Sequence, residues 1–306
     1  MEVSLSDLEI DEKPGHDPDN ADTARRREIT RFLRIFFGRG VVIFGMIILI
    51  VFFASAIFAP FLAPYDPYEQ SVGPALSKPS LSHWLGTDVM GRDTLSRLIY
   101  GSRTSLMVGV IATGIATVVG IGLGLLAGYF GGLVDTVIMR LMDTLMAFPM
   151  IILALLISTM LGGGLVNVMV ALGIALLPGF ARLMHGQVLS VLENDYISAE
   201  RAIGAKHPRL MLRHVLPNCM PSMLVLITMM MGTTILAEAG LSYLGLGVEV
   251  PKAAWGSMVN DGYRYLIRNP VLSFAPGIAI MLVAFSFNMV GDGLRDALDP
   301  RLRGVI

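Results

Sequence analysis

An all-α membrane protein with several spanning helices is the fold class this sequence predicts, and three observations predict it. The chain of 306 residues is 54% hydrophobic and 15% charged, where a soluble domain carries about a quarter charged residues. Its mean hydropathy is positive. Its apolar residues are gathered into runs near the roughly 20 that a helix needs to cross the hydrocarbon core. A net charge of −1 leaves no basic footprint for nucleic acid. One cysteine, Cys219, gives no basis for an intrachain disulfide, and no HExxH or paired-cysteine pattern gives a basis for a metal site.

The first 24 residues, MEVSLSDLEIDEKPGHDPDNADTA, are acidic and turn-rich, and read as a disordered tail. The first apolar run begins about forty residues in, too far along for a secretory signal, and reads as a retained anchor. Six runs qualify as spans: Val41 to Leu62, Leu106 to Tyr129, Leu145 to Leu161, Val166 to Phe180, Met220 to Ala239 and Ser273 to Val290. In the second, GIGLGLLAG supplies small residues for close helix packing. Gly162, Gly163 and Gly164 between the third and fourth allow only an antiparallel hairpin. Pro149 and Pro178 are positions where a helix can kink. Six spans place both ends of the chain on one side.

Lysine and arginine orient the spans. Sixteen of the 23 fall in the tail, at Arg140, in the segment that follows the fourth span, and at the carboxyl end. That excess marks those regions as cytoplasmic. The resulting segments are a tail at 1–34, the first span at 35–63, an extracytoplasmic loop at 64–104, and a five-helix core at 105–306 that includes a polar loop at 191–218.

Within that loop, DYISAERAIGA favours helix, with Asp195 placed as cap and Ala199, Ala202 and Ile203 as an apolar stripe. Gly204 permits a sharp turn. Pro208 can open a second short helix, with Leu210, Leu212, Val215 and Leu216 as its buried face, and Pro217 ends it. Such a knob suits docking into a groove on another protein; a plain surface hairpin joining two spans is the other reading. Glu238, near the end of the fifth span, reads as a carboxylate at the membrane boundary or one satisfied by a neighbouring helix, since exposure there is cheap. Contact with a charged substrate group is its sharper alternative.

The remaining features read as structural. Asp88, Arg92 and Asp93 fit ties and a helix cap in the long loop, with a docking surface for a substrate-binding protein as the alternative. Trp255, Tyr263 and Tyr265 fit the headgroup belt. Arg140 and Asp143, three apart on a helix, are close enough to pair. The methionine run in LITMMMGTT fits helix packing or an adaptable pore lining.

The loop resembles that of permease subunits of bacterial ATP-binding-cassette importers. Their pattern is Glu-Ala-Ala, three residues, Gly, then nine residues to Ile-x-Leu-Pro. Here Gly204, Leu216 and Pro217 keep it, while Ser198, Glu200 and His214 depart from it. HWLGTDVMGRDTLSRLIYGSRTSL, AGYFGGLVDTVIMRLMDTLMAFP, EAGLSYLGLG, WGSMVNDG and NMVGDGLRDALDPRLR resemble the dipeptide, oligopeptide and nickel branch, in its second permease. The resemblance spans about Arg34 to Arg303.

It implies a type I importer permease fold with a coupling helix. Ser198, Ala199, Glu200, Ala202, Gly204, Ala205, Leu216 and Pro217 would form the loop that seats on an ATPase. It further implies a second permease, one or two ATPase subunits and an extracytoplasmic binding protein as partners, and the bacterial inner membrane as the location. No GxxxxGK[ST] phosphate loop occurs in the chain, so ATP would be bound by partner subunits, with no cofactor or catalytic residue here. A self-sufficient channel or secondary carrier is the alternative, opposed by the scarcity of charge within the spans. An intramembrane enzyme lacks any paired catalytic constellation.

Overall fold

The fold is seen in a computed structural model that describes residues 29–248 and 251–298. The acidic tail predicted to be disordered lies outside the described residues. A helical stretch over 29–37 leads into α1 (Gly40–Ile57), a short α2 (Ala59–Leu62), α3 (Thr94–Phe130), α4 (Gly132–Met146), α5 (Met150–Met160) and α6 (Leu165–Leu192). Next come α7 (Asp195–Ala202), a single turn α8 (His207–Arg209), a π-helical turn (Leu210–Val215), α9 (Leu216–Tyr243), α10 (Trp255–Tyr263) and α11 (Val271–Leu298). Extended pairing among the described residues is limited to one bridge, Thr87 with Asp93.

Among the described residues five helical stretches are long and apolar enough to cross a membrane: α1, α3, α6, the run from α8 through α9, and α11. The bent pair α4 and α5 makes a sixth if counted as one broken span. The third span expected at Leu145 to Leu161 is therefore not one continuous helix. It turns by 92° between Met146 and Met150. The cause is Pro149, which lacks the N–H for an intrahelical bond and pushes Phe148 before it out of the helical region.

The bundle is built around α3 and α6, which share its most extensive contact. Gly120, Gly124 and Gly128 recur one turn apart on α3 and let α6 approach closely. A Cβ on Gly120 would stand 2.6 Å from the Cβ of Phe180, and one on Gly128 2.9 Å from the Cβ of Val188. Without a solvent force between apolar helices in lipid, such close contact is what holds them. α9 packs on α3 and α11, and α11 packs back on α1. Thr113 and Thr234 join α3 to α9 through a buried hydroxyl pair at 3.0 Å, and Arg39 meets Asp296 at 2.6 Å where α1 begins and α11 ends.

At the opposite end from residues 193–215, the segments before α3 and after α9 interlock. Asp93 caps α3 by accepting from the Ser96 amide at 2.8 Å and holds Nδ1 of His83 at 3.0 Å. Arg92 pairs with Asp88 at 2.6 Å. The buried Arg97 donates to the carbonyls of Pro67 at 3.1 Å and Pro251 at 3.3 Å, and Asn269 donates to Ser77 O at 3.0 Å. Asp88, Arg92 and Asp93 are thus ties within the protein. The amphipathic helix expected after the cap is the first part of α3 itself, whose 37 residues extend to about 55 Å.

Trp255 is not a headgroup-belt residue. It is 3% exposed, its Nε1 donates to Leu98 O at 2.8 Å, and its ring lies 5.7 Å from that of Phe52. Gly101 leaves the room for it on α3. Tyr263, by contrast, is exposed. The methionine run serves packing: Met231 is buried among Leu49, Ile235 and Phe287, and Met229 covers Gly291.

Candidate functional site

The polar loop is seated on the ends of α3 and α6. α6 closes with Asn194, whose Nδ2 donates to Ser190 O at 3.2 Å and Val191 O at 2.9 Å, satisfying carbonyls that the last turn leaves free. Asn194, not Asp195, is therefore the residue preceding α7, and Asp195 is its first helical residue. With the Asn194 amide turned back to α6, α7 has no side-chain cap. An acid in its first turn still complements the helix dipole.

Ile197 is the buried residue of α7. It enters a cluster with Leu125, Tyr129, Met184, Val188 and Val215. Burying such a side chain contributes about 1.5–3 kcal/mol, and it fixes which face of α7 points outward. That outward face carries Ser198, Ala199 and Ala202, with Ile203 79% exposed beside them. The apolar stripe expected from Ala199, Ala202 and Ile203 exists, and it faces away from the protein.

α7 ends in a Schellman turn. Gly204 N donates to Arg201 O at 3.0 Å and Ala205 N to Glu200 O at 3.1 Å. Gly204 adopts φ +85°, the left-handed conformation that this closure requires and that glycine reaches without a Cβ penalty. A Cβ at Gly204 would meet nothing within 4 Å, so backbone conformation is the constraint there. Ala205 then tucks against the cluster.

The return arm differs from the expected helix that Pro217 would end. His207 to Tyr243 runs as one helical path, and Pro217 lies in the first turn of α9. Residues 210–215 are wound as a π turn, a wider winding that accommodates a following residue with no N–H. The winding shifts the register: Leu210, Met211 and Val215 are buried, while Leu212, expected inside, is 61% exposed. Leu216 packs against the cluster from its edge, and Pro217 is exposed.

Polar ties fix the loop to the bundle. The Tyr129 hydroxyl, at the end of α3, lies 2.8 Å from Nδ1 of His207, and Asn218 on α9 donates to the Tyr196 hydroxyl of α7 at 3.2 Å. His185 of α6 meets Asp135 of α4 at 3.0 Å. Asp143 pairs with Arg182 of α6, and the expected partner Arg140 stands 4.0 Å away. Apart from Arg140 and Asp143, these ties join residues remote in the chain, whose side-chain types alone carry no signal of partnership. Arg201, Lys206, Arg209 and Arg213 leave the outer surface of the loop basic.

Glu238 lies on α9 and is fully buried, so it is not an exposed carboxylate at a helix end. The helix continues past it to Tyr243, and Ser242, one turn on, donates its hydroxyl to Oε1 at 2.6 Å. Oε2 has no hydrogen-bond partner among the described residues. Among the described residues there is no cluster of three or more His, Cys, Asp or Glu side chains that could hold a metal.

The fold and the seated loop define a multi-span membrane component. Residues 120–304 match the family model described as "Binding-protein-dependent transport system inner membrane component", and 29–79 match "N-terminal TM domain of oligopeptide transport permease C". The dipeptide transport system permease protein DppC of Alkalihalophilus pseudofirmus is 43% identical over 86% of this chain and 86% of its own length. The glutathione transport system permease protein GsiD of Pectobacterium atrosepticum is 39% identical over 92% and 94%. The di/tripeptide permease DppC of Pseudomonas aeruginosa is 43% identical over 85% and 88%. Among solved structures, an inward-facing MetNI methionine ABC transporter superposes with a TM-score of 0.54 at 19% identity, covering 66% of this chain and 96% of that one. That likeness shows the fold.

The chain belongs to the family of inner membrane components of binding-protein-dependent transport systems, as a permease of the type that the sequence pattern resembled.

Proposed function

We propose that this chain is the second permease of an importer for small peptides, pairing with a first permease to form the translocation path. ATP is hydrolysed by separate subunits, and the movement reaches the spans through the loop at 191–218. The observation that carries the reading is the outward tip of that loop. Ser198, Ala199, Ala202 and Gly204 present a low, small-residue surface around exposed Ile203, on a helix pinned from behind by Ile197.

Small residues permit close approach of a partner backbone, and an exposed aliphatic side chain at the centre of such a surface is what fills a partner's pocket. The excess of basic residues at this end supports a cytoplasmic side for it and for both chain termini, where ATP is available. The segments 64–93 and 251–270 then face outward, toward a binding protein. Relatives named for dipeptides, di/tripeptides and glutathione support a short peptide as cargo.

A cysteine in place of Ile203 tests the reading. In native membranes it is expected to crosslink to an ATPase chain, while a cysteine in place of Ile267, fully exposed at the opposite end, is not. Equal behaviour of the two would remove the loop from the ATPase interface.

A further inference from the structure

The loop departs from the family pattern at Ser198, Glu200 and His214, and two of the three face each other. Nε2 of His214, in the π turn, lies 3.8 Å from Oε1 of Glu200, on α7 before Gly204. The side chains are 20% and 28% exposed, and His214 Nε2 has no hydrogen-bond partner among the described residues. In the general pattern these positions are an alanine and an isoleucine, neither of which takes up or releases a proton. Here an imidazole meets a carboxylate.

We propose that Glu200 and His214 are a positioning pair that clasps the two arms of the docking loop and makes coupling to the ATPase depend on cytoplasmic pH. The inference rests on the docking reading above. A separation of 3.8 Å is too long for a hydrogen bond and short enough for an ion pair. A neutral imidazole offers the carboxylate only a weak dipole, whereas an imidazolium offers full charge and an N–H on each nitrogen. Falling pH therefore tightens the clasp between α7 and the π turn. The Gly204 tip lies on the connection between those arms, so its orientation follows the clasp.

Among the described residues Glu200 is the acid within 4.0 Å of His214. Arg201 and Asp195 share α7 with Glu200, Glu193 closes α6, and His207, Arg209 and Arg213 flank the π turn. Their cations oppose a charge on His214, and Glu200 offsets them only while it is itself ionised. The neighbouring imidazoles are engaged elsewhere, His207 with Tyr129 and His185 with Asp135.

The test uses the assembled complex in proteoliposomes. ATP hydrolysis by the complex is divided by that of the detached ATPase chains at the same pH, which removes the ATPase's own pH profile. The wild-type ratio is expected to be about twofold higher near pH 6 than near pH 8, the scale of a partly exposed ion pair. Glu200→Gln and His214→Asn each flatten it, and His214→Lys holds it high at both values. A flat wild-type ratio, or a Glu200→Gln complex that retains the slope, overturns the pair as its source. A chain that recovers no ATPase at all overturns the docking reading itself, and this inference with it.

Discussion

The Tyr129 hydroxyl stands 2.8 Å from Nδ1 of His207, joining the end of a spanning helix to the first residue of the loop's return arm. The bond is part-buried and crosses 78 residues of sequence. It ties the start of the loop's return arm to the end of α3.

Removing that hydroxyl is expected to loosen the loop and leave the spans in place. Tyr129→Phe costs about 1 kcal/mol, the net value of one hydrogen bond, and keeps the ring within the apolar cluster. Hydrogen exchange is predicted to speed up over 195–209 and to stay unchanged over 220–240.

The turn at Gly204 is predicted to tolerate shape better than it tolerates a Cβ branch. Its space is open but its φ is +85°, so Gly204→Asn is mild and Gly204→Val costs about 1–2 kcal/mol or more. The valine variant should insert and accumulate normally while uptake falls by at least about tenfold. Full uptake by that variant would take Gly204 out of the coupling path.

Gly124 tests the helix seam. A side chain there meets the backbone carbonyl of Ala181 and the Cβ of Met184, neither of which can swing aside. Gly124→Leu is expected to cost more than about 3 kcal/mol by overpacking, read as loss of folded protein in detergent. Gly122, one turn-face away with nothing within 4 Å, should accept leucine.

Asp261 predicts a pH effect at the opposite end. Although Asp261 keeps an exposed edge, partial desolvation pushes its carboxyl above the ordinary carboxylate value, against the pull of Arg97 and Arg92, an effect that solvent screening weakens. A folded-state value above the unfolded one means that the folded form favours the proton. That contribution is complete below the unfolded value and is lost as pH rises through the folded one. Asp261→Asn is therefore expected to raise the melting temperature at neutral pH, with the gain shrinking as the medium is acidified toward pH 4. A variant less stable than the wild type at pH 7 would show that the arginines win.

The spans were legible because an apolar run of about 20 residues has few other uses, and α1, α6, α9 and α11 lie where hydropathy placed them. Pro149 was legible as a weak point, but the 92° turn it permits depends on what the helix meets on either side. The loop's helix and its glycine turn were legible from DYISAERAIGA, yet Leu212 and Met211 exchanged places because a π turn leaves no periodic signal in six residues. Trp255 was misplaced for a related reason. Its partner, the Leu98 carbonyl, is 157 residues away, and an indole that finds a backbone acceptor has no need of the headgroups. Glu238 shows the same limit, since Ser242 was in view at four residues' distance but the surrounding helices were not.

The most direct test is to tag this chain, extract it from its native membrane in mild detergent, and identify by mass spectrometry the proteins that accompany it. The account predicts a second permease and at least one ATPase chain, with the ATPase lost and the second permease retained when Gly204 is replaced by valine and the loop can no longer seat. Recovery of the chain alone, folded and able to carry peptides after reconstitution without ATP, would contradict it.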